Sequence, residues 1–303
     1  MNVKSDYELY HDESMIKGYW HGMLLIPVDQ KPRLLFYLET AREKVGYFYK
    51  ISFKNIDSSG PKYELANAWL SIILGFMRSN TKFESYHYYT GERENRKRIT
   101  NQLDSQACGA KFVLFRERDV HEKMMNYPDN TSKIETTFRM GFKGGLHFLF
   151  DPQTPVCVTR IHFDGFKHLG RHIDRQRVID RLNGLRDYCE IATTPDLIDD
   201  RASDPCSTDA QDYADCQLLQ LTDLLIGSFR SGLGYSENYY KNILGKYAKN
   251  LIDRYSKGTA RMRNSRWNRS FCMSECYLEN DQWHFETING LDKNRVYQQT
   301  LFE

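Results

Sequence analysis

Residues 217–227 read Gln217-Leu-Leu-Gln-Leu-Thr-Asp-Leu-Leu-Ile-Gly227, and the predicted fold is built outward from this stretch. Its apolar residues, with one beyond its end, recur at helical spacing: Leu218, Leu221, Leu225 and Phe229. This spacing predicts an amphipathic helix. Asp223 is the one carboxylate among these leucines. Because an isolated buried carboxylate is costly, Asp223 is expected to face a cation, a metal ion or several hydrogen-bond donors.

The composition is that of a globular protein. The chain has 303 residues, of which 40% are hydrophobic and 27% are charged, so it can bury a large core. A net charge of +2 is too small to imply a polyanionic partner by itself. Seven scattered cysteines favour reduced thiols, residues 1–12 lack a signal-peptide pattern, and no apolar run is long enough to cross a bilayer. We therefore expect a cytoplasmic protein.

The pattern of residues in the first third alternates between strands and helices. Strands are predicted over 7–11, 18–28, 47–53 and 81–90, and helices over 33–44 and 61–78. Gly46 is expected to end the first helix. The first strand runs into Asp12-Glu13-Ser14 and pairs with the second as a hairpin. This order predicts an α/β fold whose sheet starts with antiparallel strands.

The remainder of the chain continues the α/β pattern. Helices are predicted over 93–104, 107–127, 132–148, 171–188 and 235–255, and strands over 155–163, 189–198 and 271–288. The strand over 155–163 runs directly into Asp164. With no internal repeat, the simplest division is one domain over 1–230 and a helical, basic C-terminal extension over 231–303 that packs on it.

Three acidic positions are predicted to converge. Asp12 and Glu13 end one strand, Asp164 ends another, and Asp223 lies on the late helix. Carboxylates brought together repel one another unless a cation lies among them. An all-oxygen ligand set suits Mg²⁺ or Mn²⁺, and such a site can hydrolyse a phosphodiester. The alternative is structural, since carboxylates at strand ends and helix caps are common.

The same residues carry a resemblance to a known family. Asp12-Glu13-Ser14 and Leu219-Gln220-Leu221-Thr222-Asp223-Leu224-Leu225 resemble the first and last motifs of the family called domain of unknown function 3800. Asp164 resembles that family's middle strand-end aspartate, and Asp212 sits near its Asp-Ser-Lys element. That family is similar to the ribonuclease H-like superfamily. The resemblance covers about residues 5–230 and implies a ribonuclease H-like mixed sheet flanked by helices.

The resemblance implies a metal-dependent nuclease. Asp12, Asp164 and Asp223 would be the catalytic metal ligands, with Glu13 as a further catalytic residue and Asp212 as a further metal ligand. The chain departs from the family where Met15-Ile16-Lys17 follows the first motif and Gly165 follows Asp164. A catalytically inactive module that binds nucleic acid or a protein partner is therefore the alternative.

Nucleic acid is the expected partner. The segments 93–98 and 257–269 are basic, and the second interleaves arginines with an aromatic residue, which suits backbone contacts and base stacking. Its candidate nucleic-acid-binding residues are Arg261, Arg263, Arg266, Trp267 and Arg269. A solvated charged surface is the alternative. No membrane partner is expected, and a homo-oligomer is compatible with the sequence.

Two weaker metal patterns are also present. His162, His168 and His172 lie around Asp164, but no Glu accompanies the helical histidine pair as in zinc metalloproteases. One of these histidines could instead contact a phosphate or shuttle a proton. Cys272 and Cys276 are spaced like half of a zinc knuckle, but no second close pair follows.

Overall fold

A computed structural model describes most of the chain, including the regions that carry the predicted acids. The described residues are 4–15, 18–77, 85–90, 97–102, 109–118, 130–164, 175–192, 195–198, 210–257, 270–279 and 282–287. They form an α/β structure with a mixed sheet flanked by helices, as the alternating pattern predicts.

The main sheet has eight strands. They are β1 (Ser5–Ser14), β2 (Tyr19–Pro27), β5 (Lys111–Glu117), β6 (Val156–Asp164), β7 (Cys189–Ile191), β8 (Pro195–Ile198), β9 (Phe271–Glu279) and β10 (Gln282–Thr287). The order is β10-β9-β5-β2-β1-β6-β7, and β8 also pairs with β6. β2 lies between β1 and β5 and is antiparallel to both, whereas β6 runs parallel to β1. Two further strands, β3 (Ser85–Thr90) and β4 (Lys97–Gln102), form a separate hairpin.

The helices cover both faces of this sheet. They are α1 (Lys31–Val45), α2 (Pro61–Met77), α3 (Asn130–Leu149), α4 (Arg175–Asp180), α5 (Ala210–Gly232) and α6 (Tyr239–Lys257), with short 3-10 turns at Val28–Gln30 and Phe53–Asn55. One core joins the sheet to α1, α2, α5 and α6, and a second joins it to α3 and α4. Successive residues of a strand serve opposite cores, so Tyr10 enters the first and Leu9 the second.

Helix α5 lies directly on the sheet. The apolar stripe predicted from its sequence is fully buried, which confirms that prediction: Leu218, Leu221, Leu225 and Phe229. Ile226 packs so closely over Gly22 of β2 that a Cβ atom there would lie 2.2 Å from the Ile226 side chain. Gly22 is the register partner of Asp12. The close approach therefore sets α5 over the part of β1 that carries Asp12.

The helix ends follow the local signals. Gly46 takes a left-handed conformation with φ of 71°, and its N–H donates to the Arg42 carbonyl, as expected for a helix closed by glycine.

The predictions for 18–28, 61–78, 132–148 and 155–163 match observed elements within a few residues. The predicted strand region over 271–288, expected as one or two strands, is confirmed as the two strands β9 and β10.

Several predicted elements are wrong. The segment 47–53 forms no strand, because its backbone groups bond to side chains rather than to a neighbouring strand. The predicted helix over 93–104 contains strand β4, and the predicted helix over 107–127 contains β5, a buried strand between β2 and β9. The predicted helix over 171–188 ends at Asp180. A short buried apolar run does not distinguish a strand from a helix by periodicity alone.

The described part of residues 231–303 packs against the rest of the described structure and adds strands to its main sheet. α6 packs on α5, where Gly232 and Gly245 allow the two backbones to approach: a Cβ on Gly232 would lie 2.8 Å from the Gly245 carbonyl oxygen. β9 then pairs in parallel with β5 and extends the sheet. The basic segment between them, 258–269, lies outside the described residues. No described helix has the length and hydropathy needed to cross a membrane.

Candidate functional site

Asp12 and Asp164 are brought together by the pairing of β1 with β6. The parallel register pairs Tyr10 with His162 and His11 with Phe163. The pairing ends there, and Asp12 and Asp164 are the next residues of the two strands. Asp12 is 3% exposed and lies on the α5 side of the sheet, since its partner Gly22 contacts Ile226. The strand pairing thus brings two of the predicted acids to the same end of adjacent parallel strands, while the Asp164 side chain lies outside what the structure describes.

Asp223 faces a loop. One of its oxygens, Oδ2, accepts a hydrogen bond of 2.7 Å from the backbone N–H of Phe53. One turn earlier, Gln220 accepts from the backbone N–H of Ile51 at 3.0 Å, and one turn later Gly227 lies against the Phe53 ring. This polar side of α5 therefore holds the 51–53 segment. The donor expected beside Asp223 is a backbone N–H.

Arg42 completes this attachment from α1. Its guanidinium donates to Gln217, to Gln220 and to the backbone carbonyls of Tyr47 and Tyr49. The side chain is 1% exposed, and burial lowers its pKa to about 10, against the opposing effect of nearby tyrosines and Glu39. A buried arginine with four oxygen acceptors is a structural group, and it explains why 47–53 forms no strand.

Glu13 lies on the opposite face of the sheet from Asp12, because neighbouring strand residues alternate. The Tyr19 hydroxyl donates to its carboxylate. Its register partner His21 belongs to the same α3 side, where the imidazole bonds to Thr137 of α3 at 2.8 Å. The structure therefore separates Glu13 from the acids on the α5 side.

The other predicted site residues lie outside what can be described. The Asp212 backbone belongs to the first turns of α5, but its side chain is not described. The predicted nucleic-acid-binding residues all fall within 258–269, outside the described range: Arg261, Arg263, Arg266, Trp267 and Arg269. His168 and His172 are outside it too. These assignments stay predictions.

A second cluster of charged side chains lies on the α5 side, further back along β1. Lys31, at the start of α1, places its Nζ 2.6 Å from Glu8 Oε2 and 2.7 Å from Asp215 Oδ1. The Tyr10 hydroxyl lies 2.6 Å and 2.7 Å from the same two oxygens. All of these residues are at most 9% exposed. This is a buried ion-pair cluster with an internal cation.

The electrostatics of the cluster keep Glu8 ionised and Tyr10 protonated. Burial alone would raise the Glu8 pKa, but His162, Lys31 and Tyr10 outweigh it and lower that pKa to about 2. Burial, with the carboxylates of Asp215 and Glu8, raises the pKa of Tyr10 well above its usual range. Tyr10 is therefore a hydrogen-bond donor at neutral pH.

His162 of β6 closes the cluster. Its ring stacks on the Tyr10 ring with centroids 4.7 Å apart, and its Nε2 lies 3.7 Å from Glu8 Oε2, which is longer than a hydrogen bond. Glu8, His162 and Asp215 each offer one ligand atom, all within 4.8 Å of one another, so this group could hold a metal ion. Among the described side chains, it is the one group of three or more such ligands.

The cluster could have been anticipated from the same signal that singles out Asp223. Glu8 lies between Tyr7 and Leu9 inside a strand, and Asp215 lies one turn before Leu218 on a leucine-rich helix. Each is an acid in an apolar setting. The position of His162 near Asp164 in the sequence suggests a phosphate contact or a proton shuttle, but nothing in the sequence pattern links His162 to Glu8 or Asp215.

Comparison with known proteins adds no assignment. No family model matches the chain, and neither the curated proteins nor the solved structures yield a significant match. The function is therefore inferred from the geometry of the two acidic regions on the α5 side of the sheet.

Proposed function

We propose that the chain is a divalent-metal-dependent nuclease of ribonuclease H-like fold that hydrolyses phosphodiester bonds of nucleic acid. The observation that carries the proposal is the β1–β6 register, which brings Asp12 and Asp164 to the same end of adjacent parallel strands, with Asp12 on the α5 side. The mixed sheet with antiparallel first strands is the architecture that the family resemblance implies. Asp12, Asp164 and Asp223 are the proposed ligands of Mg²⁺ or Mn²⁺.

The chemistry of the donor set fits a hard divalent cation. Asp12 is almost fully buried, and a second strand-end aspartate adjoins it along the backbone. Aspartates at the same end of adjacent parallel strands can bring two carboxylates together, and such a pair favours a bound cation. The Phe53 N–H occupies Oδ2 of Asp223, but a carboxylate has two oxygens, so Oδ1 can serve as a ligand. When bound, the cation lowers the pKa of its water and stabilises charge on the reacting phosphate.

Arg230 is the proposed contact for the substrate phosphate. Its Nη1 donates to Ser14 Oγ at 2.5 Å, which sets the guanidinium at the end of β1 that carries the acids. Burial lowers its pKa, although the charge of Asp223 opposes that effect. Its buried Nε has no hydrogen-bond partner among the described residues. A guanidinium with a spare donor beside acidic ligands can orient an anionic phosphate.

Cleavage assays on mixed DNA and RNA substrates with Mn²⁺ test the proposal. Asp12→Asn should reduce cleavage to the level of the protein-free reaction. Asp6→Asn is the matched control, because Asp6 lies on the same strand but is exposed. Equal activity in Asp12→Asn and wild type would refute the assignment. Binding without cleavage in the wild type would favour the inactive binding module instead.

A variant of Asp223 must distinguish loss of metal binding from loss of the hydrogen bond to the Phe53 loop. Asp223→Asn keeps an oxygen that can accept from the Phe53 N–H while removing the negative charge. The proposal predicts that this variant loses both cleavage and stabilisation by Mn²⁺, since a ligand that binds the native state raises its stability. Unchanged Mn²⁺ stabilisation together with full cleavage would remove Asp223 from the site.

A further inference from the structure

The buried cluster around Lys31 holds more oxygen lone pairs than it has protons to bridge them. The Tyr10 oxygen lies 2.6 Å from Glu8 Oε2 and 2.7 Å from Asp215 Oδ1. A tyrosine hydroxyl carries one hydrogen and can donate to only one of these oxygens at a time. The Tyr10 oxygen and the other carboxylate oxygen then lie at hydrogen-bond distance with no tyrosine proton between them. A close oxygen pair of this kind is stabilised by a positive charge placed among its members.

The formal charges point the same way. Glu8 and Asp215 contribute two negative charges, and the Lys31 ammonium, which reaches both at 2.6 Å and 2.7 Å, contributes one positive charge. The ammonium therefore offsets one of these two formal negative charges. A dication in place of the ammonium would neutralise both carboxylates, which matters because an uncompensated buried charge is strongly destabilising.

His162 supplies an independent indication of a ligand. It is 3% exposed, yet neither ring nitrogen has a hydrogen-bond partner among the residues that the structure describes. Buried imidazole nitrogens without partners call for an explanation, of which an ion is one. The stacked Tyr10 ring holds the imidazole plane, so its Nε2 is fixed near the carboxylates by packing alone.

The spacing of the three ligand atoms suits a small transition-metal ion. Tetrahedral bonds of about 2.0–2.1 Å separate the ligand atoms by about 3.4 Å. His162 Nε2 and Glu8 Oε2 are 3.7 Å apart, and all three ligand atoms lie within 4.8 Å of one another. A small contraction of the cluster would give ligand distances of the right length, with a water molecule or the Tyr10 oxygen in the fourth position.

We propose that Glu8, His162 and Asp215 form a buried site for a transition-metal dication of the Zn²⁺ class, which displaces the Lys31 ammonium. A set of one imidazole and two carboxylates favours Zn²⁺ over Mg²⁺, since Mg²⁺ prefers oxygen ligands. Lys31 can leave the cluster because its flexible stem starts at the first residue of α1, beside the exposed Asp29.

This site is separate from the proposed nuclease centre. Glu8 precedes Asp12 by four residues on β1, which corresponds to about 13 Å along an extended strand. The two sites share no proposed ligand, so the zinc site does not depend on the proposed nuclease function. Asp12→Asn should leave Zn²⁺ binding unchanged.

Titration of the metal-free protein with Zn²⁺ against a competing chelator tests the proposal. In Asp12→Asn protein, where the proposed nuclease centre lacks a ligand and does not contribute, we expect one tightly bound Zn²⁺ per chain. His162→Gln should weaken its binding more than the 10–100-fold that loss of an outer-shell partner typically costs. His147→Gln is the matched control, because His147 lies at the surface end of α3 and bonds only to the Arg186 N–H among described groups. Equal loss in both variants, or none in either, would overturn the proposal.

A Co²⁺ complex of the wild-type protein tests the ligand set without any variant. Nitrogen and oxygen ligands should give visible ligand-field bands without the intense thiolate charge-transfer absorption that cysteine ligands produce. Strong thiolate absorption would place the ion at the cysteines and overturn the proposal. Lys31→Met provides the final check: removal of the competing ammonium should tighten Zn²⁺ binding at least tenfold, and weaker binding would show that Lys31 supports the site.

Discussion

Removal of the Lys31 ammonium should destabilise the protein far more than removal of an exposed lysine with similar ion-pair geometry. Lys31→Met in chelator-treated protein leaves Glu8 and Asp215 as buried carboxylates without their cation. Loss of one partner from a buried ion pair costs about 3–5 kcal/mol. Lys4→Met is the control, since Lys4 contacts Glu190 at the same 2.6 Å but its side chain is 34% exposed.

The expected loss can be converted into a change in melting temperature. An unfolding entropy of about 2.1 cal/mol/K per residue gives about 0.6 kcal/mol/K for a chain of 303 residues. A loss of 3–5 kcal/mol therefore lowers Tm by about 5–8 °C. Differential scanning calorimetry at neutral pH would measure it, and Lys4→Met should leave Tm unchanged within error. If Lys31→Met has no larger effect than Lys4→Met, the carboxylates do not depend on that ammonium and the reasoning fails.

Three further predictions follow from other contacts. Gly227→Ala should lower the free energy of unfolding by about 1–3 kcal/mol, because its Cβ would lie 2.0 Å from the Phe53 ring. Gly144→Ala is the control: a Cβ there has nothing within 4 Å, so this variant should raise the free energy of unfolding by up to about 1 kcal/mol. Urea denaturation measures both. Because the Glu8 pKa is lowered from 4.5 to about 2, the contribution of the Glu8 carboxylate to stability is complete above pH 4.5 and is lost as pH falls toward 2. Over that window the Tm of Glu8→Gln should fall less steeply than that of the wild type. Identical slopes would contradict this. Asp223→Leu should speed hydrogen exchange of the Phe53 amide and Asp223→Asn should not, and equal protection in both would show that Asp223 does not hold the loop.

The elements that could be predicted from the sequence are those with long or well-punctuated patterns. The stripe on α5 identifies its buried face, and Gly46 marks the end of α1. β5 could not be recognised, because it lies between two strands, six of its seven residues are buried, and they show no alternation. The segment 47–53 is neither helix nor strand because of its bonds to Arg42, Gln220 and Asp223. Gln220 and Asp223 lie about 170 positions from it in the sequence, so no local pattern predicts these bonds.

The acidic region illustrates the same division between local and distant information. Placement of Asp12 and Asp164 at strand ends follows from local alternation, but their meeting at one end of the sheet requires β6 to pair in parallel with β1, which is one of three strands that β6 pairs with. Glu13 shows the reverse: its neighbour in sequence is Asp12, and the alternation of side chains along β1 sends the two to opposite cores. Sequence proximity was a poor guide there, and strand geometry decides the outcome.

The buried cluster shows what a rule based on single residues can and cannot find. An acid flanked by apolar residues signals a hidden partner, and this rule selects Glu8 and Asp215 as readily as Asp223. The partners differ in kind, however: a backbone N–H for Asp223 and the Lys31 ammonium for the other two. A backbone donor leaves the carboxylate charge in place, whereas an ammonium offsets it and competes with a metal ion. The same sequence signal therefore marks Asp223, whose charge remains for the proposed metal ion, and a pair of acids whose charge is partly offset by an ammonium. Only the identity of the partner distinguishes the two cases.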